Sequence, residues 1–191
     1  MACSAPTRPV PIPGAAAPES IEIRTAGGAD ALPLQALQHA AVRELNARDY
    51  RAAQLETFLR EIGTLDRALL EDGTYLVAEL GGHLVGCGGF SFRDRGVGRG
   101  TRGERRLDPA RDAAWMRGFF VDPAFARRGI AARLLRAAEA AARTAGFRRA
   151  QLIATRTGEP LYVREGYRLI ERVLVEAGSS PLAAAHMEKL L

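Results

Sequence analysis

The 191-residue sequence has few cysteines and no long apolar segment. Its two cysteines, Cys3 and Cys87, are too few for a disulfide framework or a clustered thiolate metal site, which is typical of a reducing compartment. No run approaches the about 18 to 20 uncharged apolar residues that a membrane helix needs, and the N-terminal residues lack the continuous apolar core of a signal peptide. The sequence therefore predicts a cytoplasmic protein with no membrane segment.

Motifs for metal binding, nucleotide binding and covalent catalysis are also missing. There is no Walker loop, no HExxH helix and no clustered set of histidine and cysteine, so we expect no metal site. Residues 98–103, GRGTRG, match the dinucleotide pattern GxGxxG, but no amphipathic helix begins after them and we reject a Rossmann site. No cysteine or serine stands in a recognisable arrangement with a base, which argues against an acyl-enzyme.

Lysine is nearly absent, because every basic residue except Lys189 is arginine, and the formal charge of the chain is +5. The positive charge is concentrated in residues 93–149, which contain 15 arginines and 6 acidic residues. A field of one sign attracts phosphate groups, either those of a nucleic acid or those of an anionic small-molecule cofactor. Residues 93–112 contain no aromatic side chain for base stacking, so we regard nucleic-acid binding through this Arg-rich face as the alternative function and as the less favoured one.

Composition divides the chain into a tail and one domain. With 47% hydrophobic and 26% charged residues the composition is globular, and 191 residues suffice for one domain with a substantial core. Five of the ten prolines lie within residues 1–18, which favours a disordered Pro/Ala-rich tail. We therefore expect a tail at 1–18 and a single domain at 19–191.

Apolar periodicity predicts the first half of this domain. A strand at 21–25 is followed by a helix that Asp30 can cap and then by a second helix. One apolar face recurs along each helix, formed by Leu34, Leu37, Ala41 and Leu45 in the first and by Leu55, Phe58, Leu59 and Ile62 in the second. A Gly-Gly hairpin signal at 81–83 separates strands at 74–80 and 84–92. Residues 93–112 lack apolar periodicity, which is typical of a mobile loop.

The second half alternates strands and helices. The pattern predicts a strand at 113–121, a helix from Gly129 to the stop signal Gly146, a strand at 150–155, a short helix at 160–165 and strands at 167–176 and 183–190. The order predicts an α/β fold on a mixed sheet, with a right-handed crossover between 113 and 155.

The segment ARRGIAA, residues 126–132, lies where the predicted strand passes through a tight turn into the predicted helix. Several backbone N–H groups are unpaired at such a point and the helix dipole is positive, so main chain alone can hold a pyrophosphate. Gly129 permits close approach of phosphates, and Ala131 keeps the first helical turn narrow. The pattern is short, and by itself it is only weak evidence for a binding site.

The strand end FFVDP, the turn ARRGIA, the amphipathic helix after it and the segment LYVREGY together resemble the GNAT superfamily of acyl-CoA-dependent N-acetyltransferases. The resemblance implies a GNAT-like α/β fold, a mixed and mostly antiparallel sheet flanked by helices, with acetyl-CoA as co-substrate. It implies that the amides of 127–132 bind the coenzyme pyrophosphate and that the backbone of 119–121 pairs with the pantetheine arm and the thioester carbonyl. The residues concerned are Arg127, Arg128, Gly129, Ile130, Ala131 and Ala132, and Phe119, Phe120 and Val121. Ala126 departs from the family pattern, which has Gln or Arg there.

Tyr162, Gly166 and Tyr167 match the Tyr-x-x-x-Gly-aromatic signature of the family, in which the tyrosine hydroxyl lies near the coenzyme sulfur. The resemblance therefore implies that Tyr162 is catalytic, and a phenol of pKa about 10 is protonated at neutral pH and can donate to a leaving thiolate. A tyrosine here can also serve packing alone. The asparagine that is frequent seven residues earlier is Thr155 in this chain, and its hydroxyl can supply one of the lost hydrogen bonds.

The acceptor and any general base are not indicated by the sequence. Glu79, His39 and Glu44 can be bases by residue type, but each is more easily explained as a surface or helix residue, so we assign none of them. By resemblance, residues 39–62, 90–92 and 93–112 shape the acceptor pocket. The prediction is transfer of an acetyl group to a primary amine, on a small molecule or a peptide, by direct attack in a ternary complex, with a homodimer as a family-level expectation.

Overall fold

The structure is a computed structural model that describes residues 20–94, 105–176 and 180–191. The predicted tail at 1–18 and the centre of the predicted Arg/Gly loop, residues 95–104, lie outside the described residues. Within the described ranges no helix is both long and apolar enough to span a bilayer.

The first half of the domain contains one more helix than periodicity predicts. Its elements are β1 (Glu22–Thr25), α1 (Ala31–Leu45), α2 (Ala52–Glu61), α3 (Arg67–Glu71), β2 (Tyr75–Leu80) and β3 (His83–Ser91). Helix α3 has five residues, too few to show a helical period, and the fully buried Leu69 anchors it. The expectation that the Asp30 side chain caps α1 is wrong: its carboxylate accepts from the Gly27 N–H at 2.7 Å and pairs with Arg24 at 2.8 Å.

The second half follows the predicted order of strands and helices. Its elements are β4 (Arg93–Asp94), β5 (Arg105–Arg106), β6 (Ala114–Val121), α4 (Ile130–Thr144), β7 (Arg149–Thr155), α5 (Glu159–Arg164), β8 (Arg168–Val175) and β9 (Leu182–Leu190). The two short strands β4 and β5 pair with each other, so the flanks of the predicted loop are regular. Leu107 follows β5 as a buried residue, and its N–H donates to the Phe92 carbonyl at 2.6 Å.

Seven strands form one sheet in the order β1-β2-β3-β6-β7-β9-β8. Strands β6 and β7 are parallel, joined through α4, and the other neighbouring pairs are antiparallel. The prediction of a mixed, mostly antiparallel sheet flanked by helices in a single domain is therefore confirmed.

Helices cover both faces of the sheet. Val77 packs in one cluster with Leu34 and Leu37 of α1, whereas its neighbour Ala78 packs in another with Ile130 and Leu134 of α4. Successive side chains of a strand point to opposite faces, so α1 and α4 lie on opposite sides of the sheet. The apolar stripe predicted for α1 is the face that it buries, and the amphipathic helix predicted after Gly129 buries Ile130, Leu134, Leu135, Ala138 and Ala142.

Candidate active site

A gap opens in the middle of the sheet between β6 and β7. The two strands pair only at Ala114–Ala150 and Trp115–Gln151, although β6 continues to Val121 against β3 and β7 continues to Thr155 against β9. Within the described residues, no strand pairs with the facing edges of β6 and β7 beyond this point. Unpaired backbone groups at a strand edge are a template for an extended ligand.

A β-bulge lies on β6 at the edge of this gap. Cys87 pairs with Phe120 and Gly89 pairs with Arg117, so Gly118 and Phe119 together face the single residue Gly88. Gly118 has a φ of 68°, a left-handed conformation that favours glycine. A Cβ atom on Gly88 would lie 2.2 Å from the Phe119 ring, so this ring lies directly over β3.

The turn after β6 forms a cradle of free amides, made of residues 127–132. Arg127 and Gly129 have φ values of 65° and 80°, two left-handed residues within three positions. Helix α4 begins at Ile130, and the first amide with a helical acceptor is that of Arg133, which donates to the Gly129 carbonyl at 3.1 Å. The amides of residues 130–132 come too early in the helix to have a carbonyl acceptor within it. This turn therefore has the geometry of an anion-binding site.

The side chains of the cradle leave its main chain accessible. Ile130 is only 2% exposed, so it contributes its amide while its side chain packs in the core. Arg127 and Arg128 are exposed at the rim, and the Arg128 guanidinium lies 5.2 Å from the centre of the Phe125 ring. Among the described residues, and apart from the adjoining residues of the chain, no atom lies within 4 Å of the position that a Gly129 Cβ would occupy. The cradle therefore combines free amides with two cationic side chains.

The Tyr-x-x-x-Gly-Tyr signature is a helix C-cap in this structure. The Tyr167 N–H donates to the Tyr162 carbonyl at 2.9 Å, the Gly166 N–H donates to the Val163 carbonyl at 3.1 Å, and Gly166 has a φ of 91°. These are the two hydrogen bonds of a Schellman motif, which often brings the residues at its two ends into contact. The rings of Tyr162 and Tyr167 accordingly meet edge to face, with centroids 5.8 Å apart. The spacing of Tyr162, Gly166 and Tyr167 thus places Tyr162 at the C-terminal end of α5, in contact with Tyr167.

Tyr162 lies beside the bulge and the end of β7. Its ring meets the Phe119 ring edge to face at 6.5 Å, and its side chain packs near Gly158, whose N–H donates to the Thr155 hydroxyl at 3.1 Å. The Tyr162 hydroxyl makes no hydrogen bond within the described ranges. Burial raises the pKa of Tyr162 above its ordinary value, so the phenol is protonated at neutral pH.

The structure brings most of the residues predicted for the site to the gap or to the cradle, but it turns two side chains away. Phe119, Thr155 and Tyr162 meet at the gap, and the residues of the cradle, Arg127, Arg128, Gly129, Ile130, Ala131 and Ala132, follow at the end of β6. Phe120 instead packs towards α1 and α2, and Val121 packs with the first turn of α4. The main chain of these last two residues remains on the strand that borders the gap.

Residues considered as bases are not brought together at the gap. Glu79 pairs with Arg24 at 2.7 Å on the outer strands β1 and β2.

A polar cluster that the sequence did not indicate lies nearer to the gap. His186 of β9 stacks on Trp115 at 5.5 Å, and its ring nitrogens lie 3.1 Å from Gln151 and 3.4 Å from Glu171. The spacing of these four residues along the chain did not predict this cluster, because each residue belongs to a different strand.

Another cluster that sequence analysis missed lies beneath the bulge. It consists of Gln38, Tyr75 and Cys87, all fully buried. The available signal was Gln38 itself, a polar residue on the apolar stripe of α1 between Leu37 and Ala41.

Several arginines of the Arg-rich segment are paired with carboxylates. Four such ion pairs are 2.6 to 3.0 Å long: Arg93–Asp72, Arg105–Asp112, Arg117–Asp66 and Arg136–Glu165. Arg127 and Arg128 of the cradle have no such ion pair within the described part of the chain. In those same ranges, no three His, Cys, Asp or Glu residues are grouped closely enough to hold a metal ion.

Residues 39–168 match the model of the acetyltransferase (GNAT) family. A GCN5-related N-acetyltransferase from Rhodopseudomonas palustris is similar over 93% of this chain and 100% of its own, with 23% identity and a TM-score of 0.71. The PaiA N-acetyltransferase from Thermoplasma acidophilum, solved in complex with coenzyme A, is similar over 90% of this chain and 99% of its own, with 19% identity and a TM-score of 0.65. The ribosomal-protein-alanine N-acetyltransferase from Brucella melitensis is similar over 89% and 99%, with 19% identity and a TM-score of 0.60. No curated protein matches the chain.

Proposed function

The chain belongs to the acetyltransferase (GNAT) family, and from this premise we propose that it transfers an acetyl group from acetyl-CoA to a primary amine by direct attack. The observation that supports the proposal best is the continuity of the gap with the cradle. Strand β6 borders the gap with its bulge and then leads, through one turn, into the free amides of 127–132. A long ligand with an extended arm and a pyrophosphate fits this arrangement.

The coenzyme would lie along β6. The amides of 127–132 hold the pyrophosphate in this proposal, with Arg127 and Arg128 adding positive charge at the rim. The Asp122 N–H donates to the Val85 carbonyl at 3.0 Å, towards β3. Successive residues of a strand direct their backbone groups to alternate sides, so the N–H and C=O of Val121 face the gap. These groups are placed to pair with the amides of a pantetheine arm.

The acetyl group would lie at the bulge. In the proposed reaction the amine nitrogen attacks the thioester carbonyl, the carbon–sulfur bond breaks, and Tyr162 donates a hydrogen bond or its proton to the departing sulfur. Burial favours the neutral phenol of Tyr162, and it has the same effect on the thiol of Cys87, whose pKa it raises to about 11. A fully buried, protonated Cys87 is not suited to be an acyl-carrying nucleophile, which supports direct attack.

In this proposal the acceptor binds at the C-terminal end of β7. The turn between α1 and α2 closes over this end, because the Tyr50 hydroxyl donates to the Ala183 carbonyl at 2.6 Å and accepts from the Arg156 N–H at 2.8 Å. A cavity of about 310 Å³ opens beside it, lined by Arg156, Arg172, Val173, Leu174, Ala183 and Ala184. Small-molecule and peptide amines both remain candidate acceptors, and no general base is assigned.

Three further expectations belong to the proposal. We place the enzyme in the cytoplasm, with its catalytic domain at residues 19–191, and expect a homodimer. The alternative, nucleic-acid binding through the Arg-rich face, is the weaker candidate because, in the described part of this face, carboxylates lie within 3.0 Å of four arginines.

Calorimetric titration tests the coenzyme site first. Acetyl-CoA and acetyl-pantetheine, which lacks the pyrophosphate, are titrated into the same protein. We expect saturable binding of acetyl-CoA and a large loss of affinity for acetyl-pantetheine. A folded protein that binds neither contradicts the proposed function, and steeply salt-dependent binding of DNA or RNA would then favour the alternative.

Replacement of Tyr162 by Phe tests the catalytic assignment. Loss of the hydroxyl is expected to lower kcat by about 10²- to 10⁴-fold, the usual worth of a general acid, with little change in acetyl-CoA affinity. The measurement is thiol release from acetyl-CoA in a screen of primary amines. Tyr167→Phe is the matched control, since it removes a second buried phenol from the same helix end. An unchanged kcat in Tyr162→Phe would remove the assignment.

A further inference from the structure

A buried hydrogen-bond network ends on the carbonyl group of Gly118. Gln38 Nε2 donates to the Tyr75 hydroxyl at 2.5 Å, and this hydroxyl donates to the Gly118 carbonyl oxygen at 3.0 Å. Cys87 Sγ lies 3.3 Å from the Tyr75 hydroxyl and 3.5 Å from the same carbonyl oxygen. The three side chains are fully buried, where polar groups cost free energy unless they are paired. Because Gln38 donates to the hydroxyl oxygen of Tyr75, the hydroxyl proton is directed at an acceptor, and the Gly118 carbonyl is both a stronger acceptor and closer than Cys87 Sγ.

Within the described residues, two side chains donate to the peptide that joins Gly118 to Phe119: the Tyr75 hydroxyl at 3.0 Å and, more weakly, the Cys87 thiol at 3.5 Å. Neither residue has a partner on β3, because both belong to the bulge. Gly118 also has no Cβ and a left-handed φ, so rotation of this peptide meets little steric resistance. A Cβ atom on Gly118 would lie 2.8 Å from the Tyr75 hydroxyl, which shows how closely Tyr75 approaches the backbone here. The hydrogen bond from Tyr75 therefore sets the direction of the Gly118 carbonyl.

The direction of that carbonyl determines the direction of the next N–H. In a trans peptide the C=O and the following N–H point in opposite directions, and the described part of the chain contains no cis peptide. Tyr75 reaches Gly118 from β2, across Gly89 of β3. The Phe119 N–H consequently points away from β3, to the side on which β7 has separated from β6.

We propose that Tyr75 is a positioning residue for acetyl transfer, which aims the Phe119 N–H at the thioester carbonyl oxygen by holding the carbonyl of Gly118. This inference rests on the proposed function. As the amine attacks, negative charge accumulates on the thioester oxygen, and an amide already aimed at that oxygen stabilises the charge. Gln38 acts one step further away, by orienting the hydroxyl of Tyr75.

The Tyr75→Phe variant tests the inference, because it keeps the ring and removes only the hydroxyl. Without the hydroxyl, the donor that remains for the Gly118 carbonyl is the thiol of Cys87 at 3.5 Å, which is a weak donor, so the peptide is held less firmly and the Phe119 N–H is directed less well. The carbonyl stretching band of bound acetyl-CoA, labelled with ¹³C at the thioester carbonyl, is then expected at higher frequency than in the wild type by isotope-edited infrared spectroscopy. Affinity for acetyl-CoA is expected to fall about two- to tenfold relative to affinity for free CoA, the worth of one hydrogen bond.

Two further variants separate positioning from general damage. Tyr167→Phe also removes a buried phenol but has no contact with Gly118, so the band and both affinities are expected to stay at their wild-type values. Gln38→Met keeps Tyr75 and is expected to shift the band in the same direction by a smaller amount. An unshifted band in both Tyr75→Phe and Gln38→Met overturns the positioning role and leaves the proposed function intact. A wild-type protein that does not bind acetyl-CoA overturns both.

Discussion

Gly129→Ala is the sharpest perturbation of the cradle, because Gly63 provides a matched control. Gly129 and Gly63 have φ values of 80° and 72°, and at neither residue does a non-adjoining atom of the described ranges lie within 4 Å of the position of a Cβ. An alanine held in the left-handed region costs about 1–2 kcal/mol at each site. For a chain of this size we expect both variants to lower Tm by about 2–8 °C. Their stability losses should therefore be alike.

Only Gly129→Ala should affect the coenzyme. A methyl group at the helix N-terminus either holds the phosphate oxygens away from the amides or drives the backbone out of the left-handed region and turns an amide aside. Each outcome removes at least one hydrogen bond to a charged group, worth about 1.5–3 kcal/mol, or about 10- to 150-fold in affinity. Gly63 lies between α2 and α3, away from the cradle. Its variant should bind CoA as the wild type does.

Calorimetric titration with free CoA, combined with thermal denaturation, measures both quantities. A Gly129→Ala variant that binds CoA within twofold of Gly63→Ala would refute the reasoning, since the phosphates would then lie elsewhere. Equal losses of affinity in both variants would also refute it, because the loss would follow stability and not the cradle.

Two further predictions concern ionisable side chains. Burial raises the pKa of all four tyrosines, Tyr50, Tyr75, Tyr162 and Tyr167, so their contribution to stability is complete below the unfolded value of about 10 and is lost as pH rises through the folded values. Tyrosinate absorbance should rise together with loss of near-UV circular dichroism above pH 10, and an earlier rise in a folded protein would contradict this. In a Cys3→Ser variant, Cys87 should resist thiol reagents at pH 8 until denaturant is added, because its thiol is fully buried with a pKa of about 11; rapid labelling of the native variant would show that this burial is wrong.

The parts of the fold that sequence analysis predicted are those fixed by local patterns. The apolar stripes of α1 and α4 and the glycine stops need no knowledge of distant residues, and Gly146 caps α4 with the same pair of hydrogen bonds that Gly166 makes after α5. Where prediction failed, a distant partner decided the outcome. Asp30 faces Arg24 and Gly27 instead of the helix that follows it.

The candidate site shows the same division. The local geometry around Tyr162 and along the cradle was predictable because each is a short chain segment, a helix end in one case and a helix start in the other, while the roles assigned to them stay predictions. The β6 bulge was not predictable, since it depends on Gly88 leaving room for the Phe119 ring and on Tyr75 reaching across β3. Nothing in the spacing of these residues along the chain indicates that they meet.

Two residues of the site depart from the family pattern, and the local backbone geometry explains why the site tolerates them. Ala126 replaces the usual Gln or Arg, yet the features that make the cradle an anion site are the left-handed residues Arg127 and Gly129 and the free amides that follow them. Likewise, Thr155 retains an accepting hydroxyl that holds the Gly158 N–H beneath Tyr162. The proposed coenzyme site therefore depends mainly on backbone geometry, which tolerates such substitutions. The acceptor half, as proposed, is lined by side chains of β8 and β9 and by Arg156, so specificity for the amine can change while the proposed transfer chemistry is kept.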